Sequence, residues 1–383
     1  MISAGTTARK PKSAHLPCAV AGIVAVALLL AFAAPASAAR DPLAGGNTDM
    51  HMKRGFLVKL GNNAIGMRGL GSAVVEERKA SMKVKGGKLD PTNAEGFVEQ
   101  GGGIKLERGT RGVPITKIVV NTFKSAVYAT VAKARMQIGA LNETTSAREG
   151  FGANFKATKV TLTDKAARRI SNRLGLSGGH RIEGGRVMSN VYSAVQPSTV
   201  TVLPQGSATL VGDLGTLKKF GEKGVALPEG ISAISPATKP TPVSFQFPIV
   251  GGTLAPDAKA GVVQTSGGVQ IAKETGATMA LTDIYVDMSA NTATVEIAIT
   301  PSPPFPGPVG RSSIADLTLT GATVVADPVA RTIEVKDAEA KLQAVAAATL
   351  NDVFNQPAPE PPPSSNFVVG DPLGKFSLKV QGQ

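Results

Sequence analysis

Tryptophan is absent from this chain of 383 residues, there are only three tyrosines, and aromatic residues make up 4% of the whole. Sugar platforms and base-stacking grooves are built on aromatic rings, so both are disfavoured. Cysteine is nearly absent too: Cys18 stands alone, which excludes an internal disulfide. Histidine is scarce, and the two that lie beyond residue 38, His51 and His180, are far apart and in no ligand motif. With no cysteine beside them, a structural zinc or iron–sulfur site is excluded. No stretch after residue 38 reaches 18 consecutive apolar residues, so that part of the chain is expected to carry no transmembrane span.

Acids are missing from the first 40 residues, where Arg9, Lys10 and Lys12 precede an apolar run from Ala19 to Ala34. Ala36-Ser-Ala38 follows with the small-x-small pattern of a signal-peptidase site. Residues 1–38 therefore read as a signal peptide, and the protein as secreted or associated with the cell envelope. Cys18 leaves with that segment, so the mature chain has no thiol nucleophile.

What the chain has in quantity is glycine (43) and proline (26), punctuating short runs rich in Val, Thr and Ile. That is the pattern of antiparallel β structure. One block repeats: Val84-Lys-Gly-Gly-Lys-Leu-Asp-Pro91 returns as Ile249-Val-Gly-Gly-Thr-Leu-Ala-Pro256, and Gly102-Gly-Ile-Lys-Leu106 as Gly267-Gly-Val-Gln-Ile271. Ile115 to Asn121 then matches Leu281 to Asp287, and Phe155 to Leu162 matches Val335 to Leu342. The offset grows along the chain, and the added residues of the second copy include the loop Pro301 to Pro308. A repeat of this kind means duplicated units. The expected fold is mostly β: two tandem β-sandwich domains, 39–200 and 201–383, each with one or two short helices. Thr163-Asp164 caps a helix over Lys165 to Leu174 that Gly175 ends. Ala346, Leu350 and Phe354 repeat its apolar face, and a shorter helix is expected from Leu214 to Gly224.

The copies differ in charge. Residues 39–195 hold 26 Lys plus Arg against 12 Asp plus Glu, net +14, whereas residues 196–383 hold 12 against 16, net −4. The first domain either docks on an anionic wall polymer, lipid surface or carboxylated ligand, or simply carries a solvated basic face. An exported chain so poor in aromatics is not expected to bind nucleic acid.

Catalytic patterns are weak. Gly175-Leu-Ser177-Gly-Gly179 spells a nucleophile elbow, but the elbow needs a strand before its serine, and a helix precedes it here. Gly101-Gly-Gly103 and Gly66 to Gly71 fit neither phosphate-loop spacing. Asp283 and Asp287 share one face of a strand, which suits a solvated face better than a Ca²⁺ site. No nucleophile–base pair stands out, so no enzyme is expected.

The repeat frame, Gly251-Gly-Thr-Leu-Ala-Pro256 through Gly261 and Gly267-Gly-Val269, followed by Leu281 to Asp287, Asp316 to Val324 and Gly370-Asp-Pro-Leu-Gly374, resembles the HtaA-type domain of actinobacterial envelope proteins. The resemblance implies β domains with short helices and a haem-binding or haem-relay role, with haem as cofactor. The family's iron-ligating tyrosine near the start of the domain has no counterpart in Lys53 to Leu60 or Gly206 to Leu210. Tyr128 and Tyr192 are then the substitute ligands, with His180 in the supporting part. The alternative expectation is an envelope binding module that keeps the fold without haem.

Overall fold

The computed structural model describes residues 40–274, 276–300, 310–355 and 366–383. The expected signal peptide and the Pro301 to Pro308 loop lie outside the described residues. The first half contains β1 (Asp41–Met52), α1 (Arg54–Gly61), β2 (Gly66–Gly71), β3 (Val74–Glu76), β4 (Lys79–Leu89), β5 (Gly96–Gln100), β6 (Gly102–Arg108), β7 (Arg111–Asn121), β8 (Ala126–Val131), β9 (Ala134–Glu149), β10 (Gly152–Leu162), α2 (Asp164–Leu174) and β11 (Val187–Pro197). The second half follows with β12 (Val200–Gly212), α3 (Leu214–Glu222), β13 (Ile231–Ile234), β14 (Thr238–Thr241), β15 (Ser244–Leu254), β16 (Gly261–Thr265), β17 (Gly268–Ala272), β18 (Thr278–Asp287), β19 (Thr292–Thr300), β20 (Gly310–Thr318), β21 (Thr323–Asp327), β22 (Thr332–Leu342), α4 (Ala344–Phe354) and β23 (Pro372–Gly382).

Each half forms one antiparallel sheet. In the first, the path β7-β5-β4-β1-β11-β10-β9-β8 returns to β7 through a β7–β8 pairing, which closes the ring. The second repeats it strand for strand as β18-β16-β15-β12-β23-β22-β20-β19, closed by β18–β19. The expected pair of stacked sheets is therefore a closed barrel in each copy. Alternation is the same in both architectures, so period alone does not separate them. What closes the ring is β7, long enough to pair with β6 and then β5 along one edge and with β8 along the other. Closure pairs the two ends of the eight-stranded path with each other, while β2 and β13 remain as terminal strands beyond β6 and β17.

The strands form because apolar residues alternate. Ala80, Met82 and Val84 of β4 face inward at 0%, 0% and 6% exposure, while Lys83 and Lys85 at the alternate positions face water. The repeated Gly-Gly pair has a backbone cause. Gly87 and Gly252 adopt φ +131° and +128°, and a Cβ would stand 2.2 Å and 2.1 Å from the Phe97 and Val262 carbonyl oxygens. Only glycine allows the neighbouring strand so close. Helix α2 is built as its sequence requires: the Thr163 side chain accepts from Ala166 N, and Gly175 ends it in the left-handed region at φ +67°. Ala166, Ile170 and Leu174 are buried beneath it.

The halves meet at their first strands. Asp41, 2% exposed, accepts at Oδ1 from the Thr201 backbone N–H (3.0 Å) and hydroxyl (2.9 Å), while its Oδ2 has no hydrogen-bond partner among the described residues. Burial raises its pKa above 3.8, and the Thr201 bonds and Arg148 offset this only in part. The folded protein thus holds this proton more tightly than the unfolded chain does. The stabilisation is complete below the ordinary carboxylate range and is lost as pH rises through the raised value. Asp41→Asn keeps the acceptor and removes the titration. It should raise the melting temperature at neutral pH and leave it nearly unchanged in acid. An unchanged or lower melting temperature at neutral pH would reject this account.

Candidate functional site

Both barrels carry two short helices, and the inner faces of those helices and strands meet at one place in each copy. In the second copy that place is a cavity of about 120 Å³. Helix α3 supplies Thr216, Leu217 and Phe220; α4 supplies Ala346 and Leu350; the barrel wall supplies Leu210, Phe245, Ile271, Ile297 and Leu342. The few polar groups at its margin already have partners. Asp213 caps α3 through Thr216 N at 3.0 Å, the Thr216 hydroxyl donates to the Pro372 carbonyl at 2.6 Å, and the Thr349 hydroxyl donates to the Val345 carbonyl at 2.8 Å. A guest would meet an almost wholly apolar wall.

In the first copy the equivalent void is about 40 Å³. Backbone hydrogen bonds fix the correspondence. Met52 N–H donates to Arg78 O as Gly212 N–H donates to Val243 O, and Lys53 N–H donates to Met188 O as Asp213 N–H donates to Leu373 O. Met50, Met52, Phe56, Met67 and Met188 line the first void. At the matching places stand Leu210, Gly212, Thr216, Ile231 and Leu373. The differences at Met52/Gly212 and Phe56/Thr216 remove most of two large side chains. Methionine, unbranched and flexible, fills irregular gaps well, so the first copy is plugged by its own core.

A surface groove of about 720 Å³ shares Gly212 and Asp213 with the larger cavity. Val211, Leu214 and Val243 line it, together with Glu339, Lys341 and Lys375. Glu339 pairs with both lysines, at 3.6 Å and 3.2 Å, and its pKa is lowered chiefly by its hydrogen bond from Lys375.

The cavity lies where the two domain openings correspond differently from the expected pairing. Lys53 to Leu60 corresponds to Asp213 to Phe220, not to Gly206 to Leu210. The signal was present: Gly55, Leu57, Lys59 and Gly61 recur as Gly215, Leu217, Lys219 and Gly221. The correct opening also contains no tyrosine.

The three residues expected to hold haem occupy separate places. Tyr128 is half-buried on β8 between inward-facing Val127 and Ala129, so it lies on the outer face. Tyr192, 41% exposed, lies on the outer face of β11, with β10 and β9 between it and β8. His180 is exposed in a short 3-10 turn after α2, its Nδ1 3.0 Å from Asn63 Oδ1. None of the three lines either cavity. Ser177 precedes that same turn, with helix α2 and Gly175 before it rather than a strand. Among the described residues, no group of three His, Cys, Asp or Glu side chains is placed to hold a metal ion. Also among them, no helix is long and apolar enough to cross a membrane.

Comparison with protein families and with curated proteins finds no match. Solved structures similar to this chain include three from Corynebacterium glutamicum. The C-terminal domain of HtaA is 15% identical, with 47% of this chain and 98% of that chain covered and a TM-score of 0.36. The N-terminal domain of HtaA is 16% identical, with 47% and 99% covered and a TM-score of 0.33. The heme binding protein HtaB is 15% identical, with 48% and 95% covered and a TM-score of 0.31. Each likeness covers about half of this chain and nearly all of the other.

Proposed function

We propose that this chain is a non-catalytic, exported binding protein whose second domain receives the apolar end of a small amphipathic ligand. The observation that carries this reading is the pair of matched sites, one plugged and one open. A cavity of about 120 Å³ is close to the ~150 Å³ apolar void that takes up benzene, and below the ~300 Å³ of ordinary drug-sized pockets. It therefore suits a single ring or a short alkyl segment. The rest of the ligand lies along the adjoining groove, where Lys341 and Lys375 suit a carboxylate or phosphate head. Export rests on the charge and hydropathy pattern of residues 1–38.

The test is a fluorescence titration with anilinonaphthalene sulfonate, followed by displacement with decanoate. One saturable site, emptied competitively by decanoate, is expected; no saturable binding would reject the reading. Haem, which the resemblance implies, is tested on the same protein by haemin absorbance with Tyr128→Phe, Tyr192→Phe and His180→Ala. A saturable Soret shift lost in one of these variants would move the site to the first domain and overturn the proposal.

A further inference from the structure

Part of the charge difference between the copies lies on one helix. Helix α2 reads Asp-Lys-Ala-Ala-Arg-Arg-Ile-Ser-Asn-Arg-Leu, whereas α4 reads Ala-Val-Ala-Ala-Ala-Thr-Leu-Asn-Asp-Val-Phe. The two occupy the same position in the same fold and bury matching apolar faces. Folding therefore does not call for the outward-facing cations of α2, since α4 manages with none. Lys165, Arg168 and Arg173 stand exposed on its outer side.

The surroundings of α2 add more positive charge. Arg169 reaches back to the Val131 and Ala132 carbonyls, which seats the helix beside the β8–β9 turn and its exposed Lys133. Arg111, exposed at the start of β7, lies against Gly175 at the end of the helix. Arg181 is exposed in the loop beyond. Nearby acids are few: Asp164 begins the helix, and Glu183 is engaged by Arg186 at 3.0 Å. The side chains of Lys165, Arg168, Arg173, Arg111, Arg181 and Lys133 make no hydrogen bond or ion pair with any described residue.

We infer that this end of the first domain is a docking surface for a linear, phosphate-bearing polyanion. Lys165 to Arg173 alone extends about 12 Å along the helix axis, a row longer than one small anion can neutralise. Arginine predominates, and its planar fork of donors matches phosphate oxygens two at a time. A membrane is the weaker partner. A helix that lies in a bilayer needs an apolar face turned outward, and the apolar face of α2, with Ile170 and Leu174, is buried in the barrel. This surface is independent of the cavity in the second domain, so either proposal can fail alone.

The test uses the full chain and long-chain sodium polyphosphate, with phosphatidylglycerol vesicles as the second arm. The variant Lys165→Gln, Arg168→Gln, Arg173→Gln, Arg181→Gln is compared with a control of equal charge change on β4 and β10: Lys83→Gln, Lys85→Gln, Lys88→Gln, Lys156→Gln. Melting curves first establish that both fold. Polyphosphate binding that weakens with added salt is expected, at least about ten-fold weaker in the helix variant and nearly unchanged in the control. Equal loss in both would mean diffuse charge and overturn the assignment. Preference for the vesicles, or no polyphosphate binding at low salt, would overturn it as well.

Discussion

Replacing Gly212 by Met and Thr216 by Phe should abolish ligand binding in the second domain without unfolding it. These are the residues found at the matching positions of the first domain, so the fold already accommodates them there. A Cβ at Gly212 would meet the Val243 carbonyl at 3.4 Å and Leu217 at 3.5 Å, ordinary contact distances. The new side chains would occupy the space that the ligand needs. Losing the burial of one ring or short chain, about 3 kcal/mol, corresponds to a weakening of about a hundred-fold. Stability should hold or rise. A void of 120 Å³ costs up to about 3 kcal/mol at ~24 cal/mol per Å³. Against this stand the lost Thr216–Pro372 hydrogen bond, about 1 kcal/mol, and any crowding. Decanoate displacement and a denaturant melt on one sample test both halves. Retained binding at wild-type affinity would mean that the cavity is not the site.

The matching position in the first domain should respond in the opposite way. Phe56 is 5% exposed and packs into the plugged core, so Phe56→Thr should destabilise that domain by about 3–5 kcal/mol. Thr216→Ala in the second domain removes one hydrogen bond and should cost about 1 kcal/mol. A difference of this size between two residues at one position of one fold is readable in denaturant midpoints. Similar losses at both positions would show that the plug carries no packing energy and that the two voids differ only in outline.

Helix α2 was legible because every local device agrees: a threonine cap, an apolar residue every fourth position and a glycine stop. Helix α1 was not. Its cap position is Lys53, with no side-chain bond, and glycine stands inside its first turn and at its last residue. Its burial of Phe56 and Leu60 against the barrel holds it, and that is a tertiary cause. The repeated Gly-Gly block was legible as a repeat, and the close strand approach at Gly87 and Gly252 is its physical cause. The closed ring was not legible, because closure depends on a β7–β8 pairing that alternation does not encode. The cavity was hidden for another reason. It arises from side-chain size at Gly212 and Thr216, in a stretch whose match to the first copy rests on four scattered identities.

The first and last strands of each barrel are neighbours: β1 pairs with β11, and β12 with β23. This sets a limit on when folding can finish. A chain emerging from its N-terminus cannot complete the first ring until residues 187–197 are present, nor the second until residues 372–382 are. The last ladder joins residues nearly a whole domain apart in sequence, and contacts of that separation make folding slow. Each domain is thus obliged to remain open while it is made, and the first can close while the second is still incomplete.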